Sequence, residues 1–257
     1  MTQLSADELV AAAAALRLAG RWDAATRLLD AAEPADPAEA AQLAVAAATV
    51  AADGDFFRQA DTAGPLLDRA AAALATAPDP VLEWDLEQLR VQLAHAANLF
   101  GAAGAEGPAL VGRAERHRDT APDPRRAAWA AFWCGVIHEH AANDRDTAVE
   151  RYTEALRGAE EAGDPLIASY AERHLGDNAY ENGDTAGGMA RAERSLALRQ
   201  RAGFVPGVLA QQAMVTDFVR RSGDTAAARA VGELLARWAA ALGLAWLEKQ
   251  ATALAEG

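Results

Sequence analysis

The sequence predicts an all-α protein, a right-handed α-solenoid of about six helical hairpins closed by a C-terminal capping helix. Three observations predict it. Alanine, the best helix former, supplies more than a quarter of the 257 residues, while β-branched residues are few. Asp-Pro recurs at Asp36, Asp79, Asp123 and Asp164, at intervals of 43, 44 and 41 residues, and Pro206 follows Pro165 after another 41. Asp-Thr-Ala begins at Asp146, Asp184 and Asp224, spaced 38 and 40 apart. Self-similarity of this length marks helical pairs that cannot bury their apolar faces alone and must stack.

Each element has a local reason. Ser5 and Glu8 form a capping box ahead of the first apolar run. In each Asp-Pro, Asp caps the free amides and Pro takes the N1 position, where its missing N–H costs nothing. Gly183 and Gly223 precede two of the Asp-Thr-Ala phrases and supply the left-handed residue of a tight turn. Gly20–Asp23 and Gly54-Asp55 read as the same turn in the first two hairpins. The predicted hairpins span 1–35, 36–78, 79–122, 123–163, 164–203 and 204–242, within a single domain 1–257, with the cap at 244–255. In the third, the first helix runs to about residue 100, and a Gly-rich connector, 101–108, replaces the tight turn. That connector is either a tolerated insertion or a flap beside a groove. Phe56-Phe57 reads as packing under a turn.

Charge and cysteine usage exclude several classes. Lys+Arg is 24 against Asp+Glu 37, a net charge of −13 that repels phosphate backbones, and no basic stripe offsets it. Lys249 is the single lysine, so no phosphate-binding Gly-Lys-Ser/Thr loop exists. The lone Cys134 lies in an apolar run and reads as a small buried thiol. The first residues lack a basic signal region, and no apolar stretch reaches the roughly 18 residues of a membrane span, so a cytoplasmic protein without membrane association is expected.

The later hairpins resemble tetratricopeptide repeats. Leu175-Gly176, Tyr180, Gly183-Asp184 and Ser195-Leu196 stand in the repeat's order, as do Cys134-Gly135, Tyr152 and Ala155-Leu156. The spacing of about 41 departs from the family's period of about 34 residues. Gly163-Asp164-Pro165 and Ser195–Arg199 are also similar to the C-terminal repeat regions of ATPase-coupled transcription regulators. The resemblance implies that Gly135 and Gly176 mark close helix contacts. Gly188 and Gly232 read as interruptions of second helices. It also implies a concave face lined by the first helix of each pair.

Counting along that face places Gln88, Gln92 and His95 in the third hairpin. The fourth contributes Trp129, Phe132, Glu139 and His140, and the fifth Tyr170, Arg173, Asp177, Tyr180 and Glu181. Asp217 and Arg220 follow in the sixth. Aromatic walls with a few convergent polar groups suit a ligand or peptide. Asp177 would repel a carboxylate, so the family's carboxylate clamp is not expected. His138 and His140 point to different helix faces and make a poor metal pair, and His174 falls on the buried or flanking side. No cofactor or metal is expected, and no nucleophile motif accompanies the histidines. The expectation is a non-catalytic module, regulatory in character, that holds a protein or peptide segment of basic character. The alternative is a small-molecule sensor or an unusual helical-repeat enzyme of specialised metabolism. The array ends at Trp238 and Trp246 await cover by a capping helix or by a second copy.

Overall fold

The computed structural model describes residues 4–100 and 106–256; the side chain of residue 100 and most of the 101–108 connector lie outside the described residues. Every regular element among the described residues is a helix: α1 (Ala6–Leu18), α2 (Trp22–Asp30), α3 (Pro37–Arg58), α4 (Ala63–Thr76), α5 (Pro80–Phe100), α6 (Ala109–Asp119), α7 (Pro124–Ile137), α8 (Arg145–Ala162), α9 (Pro165–Glu181), α10 (Thr185–Arg201), α11 (Val205–Arg221), α12 (Thr225–Leu242) and α13 (Ala245–Glu256). A π-helical turn, His138–Ala142, follows α7. No helix among the described residues is long and apolar enough to cross a membrane.

The caps explain the starts. Ser5 Oγ accepts from the Glu8 amide while Glu8 Oε2 accepts from the Ser5 amide. Asp36, Asp79, Asp123 and Asp164 each accept from amides of the turn they open, and Asp144, Asp184 and Asp224 do the same for α8, α10 and α12. Gly163, Gly183, Gly203, Gly223 and Gly243 carry the positive φ that ends the helices before them.

Two compact units result, Met1–Pro122 with His140–Ala142, and Asp123–Glu139 with Asn143–Gly257. In the first, the core joins Ala41, Ala44, Ala48 and Ala51 of α3 to Leu67, Ala70 and Leu74 of α4 and to Leu86 and Leu89 of α5. Gly54-Asp55 is not the turn that its residues suggest: α3 continues to Arg58, and Gln59 takes the left-handed conformation instead. Gly54 is small because Trp22 leaves no room, a Cβ there falling 3.1 Å from the indole Cγ. Asp55 is buried, and from inside α3 it caps α4, accepting from the Thr62 amide, the Thr62 hydroxyl and the Ala63 amide at 2.7–2.8 Å. Phe57 is buried against Trp22, while Phe56 reaches solvent.

In the second unit each helix packs on its neighbour in sequence, α9 also meets α7, and α13 also meets α11. Glycines set the close approaches. A Cβ on Gly135 would stand 2.6 Å from the Tyr152 ring, and one on Gly176 would stand 3.1 Å from the Gly188 carbonyl. Gly188 and Gly232 do not break their helices. Gly188 abuts the α9 backbone at Tyr180, 2.8 Å from where its Cβ would be, and Gly232 abuts the α13 backbone at Ala255. Cys134 is buried.

Candidate functional site

The residues expected on one face divide between the units. In the first, Gln88 is buried on α5 with its Oε1 unpaired among the described residues, Gln92 is half-buried, and buried His95 stacks on exposed His140 with ring centroids 5.2 Å apart. The remaining residues belong to the second unit, and there α7 and α9 bring together an aromatic sheet and a polar row.

Trp129 and Tyr170, both half-buried, meet edge to face at 5.4 Å, and Trp129 also contacts the half-buried Trp133. Phe132 lies beneath them, 2 % exposed, touching Trp129, Tyr170 and Tyr152. It is a core residue that supports the aromatic surface rather than presenting itself. The helical period does not predict this: Phe132 is three residues from Trp129 and shares its side of α7, but Tyr152 of α8 covers it.

Beside the rings runs the polar row. Glu139 Oε2 accepts the Tyr152 hydroxyl at 2.5 Å and faces His174 Nδ1 at 3.2 Å, and the Tyr152 ring stacks on the His174 ring. Burial and the adjacent Glu139 carboxylate push the Tyr152 phenol upward, so its hydroxyl stays protonated and donates. Nothing in the spacing announced this contact, because Glu139 and His174 are 35 residues apart.

Asp177 sits one turn further along α9. Its side chain reaches solvent, yet it makes no hydrogen bond or ion pair with any described residue. Desolvation holds its carboxyl above the usual aspartate value, opposed by Arg173 and His174 and reinforced by the carboxylates of Glu139 and Glu181. Arg173 is half-buried, donates to Gln211 Oε1 of α11 at 3.0 Å, and has its pKa lowered chiefly by burial. Glu181 is exposed and pairs with Arg221 at 2.6 Å.

Tyr180 is not on the open face. It is 8 % exposed, stacks on Phe218 at 3.9 Å and donates its hydroxyl to the Phe218 carbonyl, while Arg221 covers its other side. The count along α9 gave its direction correctly, but α11 crosses there and buries it. Asp217 and Arg220 are half-buried and pair with each other at 2.7 Å on α11.

Two buried charges escaped the sequence reading. Glu172 is 1 % exposed and accepts from Arg191 and Arg194 of α10. Arg199 is 2 % exposed, donates to the Gly207 carbonyl at 2.9 Å and lies over the rings of Tyr170 and Phe204, with Nε and Nη2 unpaired. Burial pushes its pKa down to about 9. A signal existed: Arg199 continues the stripe of Gly188, Ala192 and Ser195, the buried face of α10. No group of three or more metal-ligating side chains converges among the described residues. No protein-family model matches the chain, and no curated protein matches it.

Proposed function

We propose that the helical pairs build a TPR-like α-solenoid that acts as a non-catalytic interaction module, and that the α7–α9 face of the second unit holds a protein or peptide segment of basic character. Contacts between alternate helices, α1 with α3, α3 with α5, α7 with α9 and α11 with α13, support the solenoid reading. So does the tetratricopeptide-like order of small and aromatic residues. The observation that carries the functional reading is Asp177, a desolvated, unpaired carboxylate flanked by two further acids, on the helix whose Tyr170, two turns earlier, meets Trp129. A basic segment laid along α9 would pair an Arg or Lys with Asp177 and set other side chains on the rings two turns away, exchanging a cost for a contact. The net charge of −13 steers such a partner toward the chain. A cytoplasmic, regulatory setting goes with this reading, since the single buried cysteine needs no oxidising compartment.

Fluorescein-labelled peptides that differ only in net charge test the reading by anisotropy. Arg-containing peptides bind the wild-type chain, and Asp177→Asn raises their dissociation constant about thirtyfold, the effect of roughly 2 kcal/mol. Trp129→Ala weakens cationic and neutral peptides alike. Equal binding of acidic and basic peptides, or no change in Asp177→Asn, overturns the proposal.

A further inference from the structure

Helix α12 turns Ala228, Gly232, Leu235 and Ala239 into the unit and leaves its opposite face open. That open face is not polar. Ala227, Ala230, Leu234, Trp238 and Ala241 are all exposed, at spacings of 3, 4, 4 and 3 residues, so they form one continuous stripe. Leu234 is 46 % exposed and Trp238 53 %, two large apolar side chains one turn apart. Single exposed apolar residues need no explanation, but a contiguous stripe does.

The stripe is symmetric in position about Leu234 and asymmetric in size. Ala230 lies four residues before it and Trp238 four after; Ala227 and Ala241 lie seven before and seven after. At 1.5 Å per residue, Ala230 and Trp238 are each about 6 Å from Leu234 along the axis. A second α12 laid antiparallel, with a two-fold axis at Leu234, therefore sets each indole opposite the small side chain at the other end of its partner's stripe. The large residue of one copy meets the gap of the other at both ends.

Charge agrees with the same axis. Glu233 and Arg237 are exposed on one edge of the stripe. The two-fold keeps that edge on the same side in both copies and brings each Arg237 to within about 3 Å, in axial height, of the partner's Glu233, so two reciprocal ion pairs form. Arg229 and Arg237 also leave this helix face locally cationic beside the single acid Glu233, in a chain of net charge −13. The same axis sets the two Glu233 carboxylates about 3 Å apart in axial height, and the two Arg237 guanidinia flank that pair and neutralise it.

We propose that this face of α12 is a homodimer interface on which a second copy of the chain docks its own α12 antiparallel. The inference is independent of the α7–α9 face and of what binds there.

Sedimentation velocity over a range of protein concentration tests it. The wild-type chain sediments as a concentration-dependent dimer. Leu234→Glu sediments as a monomer with an unchanged helical circular-dichroism signal and melting curve, because the side chain is exposed. Glu233→Arg and Arg237→Glu each place like charges across the axis twice and raise the dimer dissociation constant by at least about tenfold. Mixed in equal amounts, those two variants regain the dimer, since one copy then presents two cations to two acids of the other. A wild-type chain that stays monomeric, a dimer that survives Leu234→Glu, or a mixture no tighter than its components overturns the proposal.

Discussion

The two units solve helix packing differently. In the first, α3 meets α4 and α5 through alanines at every third or fourth position, with leucines filling between them. In the second, helices approach at glycines set against a partner's backbone or ring, Gly135 under Tyr152 and Gly176 against Gly188, and aromatic stacks fill the rest. Alanine surfaces are smooth and give closeness with little register. A glycine facing a ring or a carbonyl admits one register, since a shift of one residue sets a Cβ into an occupied space. The second unit is accordingly where half-exposed aromatics and charges are held in a defined arrangement.

The sharpest break in that comparison is Tyr180→Ala. If the Tyr180–Phe218 stack and the hydroxyl bond lock α9 to α11, their loss costs about 3–5 kcal/mol, and the melting temperature falls accordingly. Trp129→Ala, on the half-exposed surface, costs much less. Equal losses for the two would remove the distinction drawn between core and face.

Gly176→Leu comes next. Its side chain has to enter space bounded by the Gly188 carbonyl and the Arg191 Cβ, each 3.1 Å from where its Cβ would stand. Overpacking of this kind costs about 3 kcal/mol, or roughly 6–12 °C of melting temperature in a chain of this size. An unchanged melt would mean that α9 and α10 are not held in register by their glycines.

Asp55→Ala probes the first unit. It strips three acceptor contacts from the start of α4 and leaves the Thr62 and Ala63 amides without their cap. The expected cost is about 2 kcal/mol, the upper end of cap losses, because this cap is buried. Asp184→Ala removes an exposed cap in the second unit and should cost about half as much.

These contrasts also show what the sequence makes legible. Helix starts were readable because an Asp-Pro cap acts within three residues of itself, whatever packs nearby. Gly54-Asp55 was misleading for the same local reason: a Gly followed by an Asp looks like a turn, but here Trp22, 32 residues upstream of Gly54, dictates the Gly and α4 recruits the Asp. Periodicity puts Trp129, Tyr170 and Asp177 on corresponding sides of α7 and α9, and the Trp129–Tyr170 contact agrees with it. That Phe132 and Tyr180 are covered does not follow from it, since a helical period gives direction and not the neighbour that lies there. The Glu139–His174 contact and the buried Glu172 depend on which helices meet.

A smaller effect, in the first unit, depends on pH. His117 is buried and stacked on Trp84, and Glu87, Asp85 and Arg113 are the charges around it. Burial lowers its pKa below the ordinary 6.5. The unfolded chain therefore takes up this proton first, so the stabilising preference is present above about pH 6.5 and is lost as pH falls through and below it. Melting followed between about pH 7.5 and 5.5 should show a decline that His117→Phe flattens. A parallel decline in the variant would assign it to other groups.

The smallest expected change has the opposite sign and bears most directly on the comparison. Gly112 lies inside α6 of the first unit, and a Cβ there meets only the tip of the Arg116 side chain, at 3.3 Å, which can swing aside. Gly112→Ala therefore narrows the unfolded ensemble without a clash and should stabilise by about 0.5–1 kcal/mol. The same substitution at Gly188 in the second unit drives a methyl to 2.7 Å from the Tyr180 Cβ and 2.8 Å from the Gly176 carbonyl, and should destabilise. Chemical denaturation of the two single variants beside the wild type reads both signs. If they shift the midpoint in the same direction, the glycines of the second unit are not register devices, and the difference between the units reduces to composition.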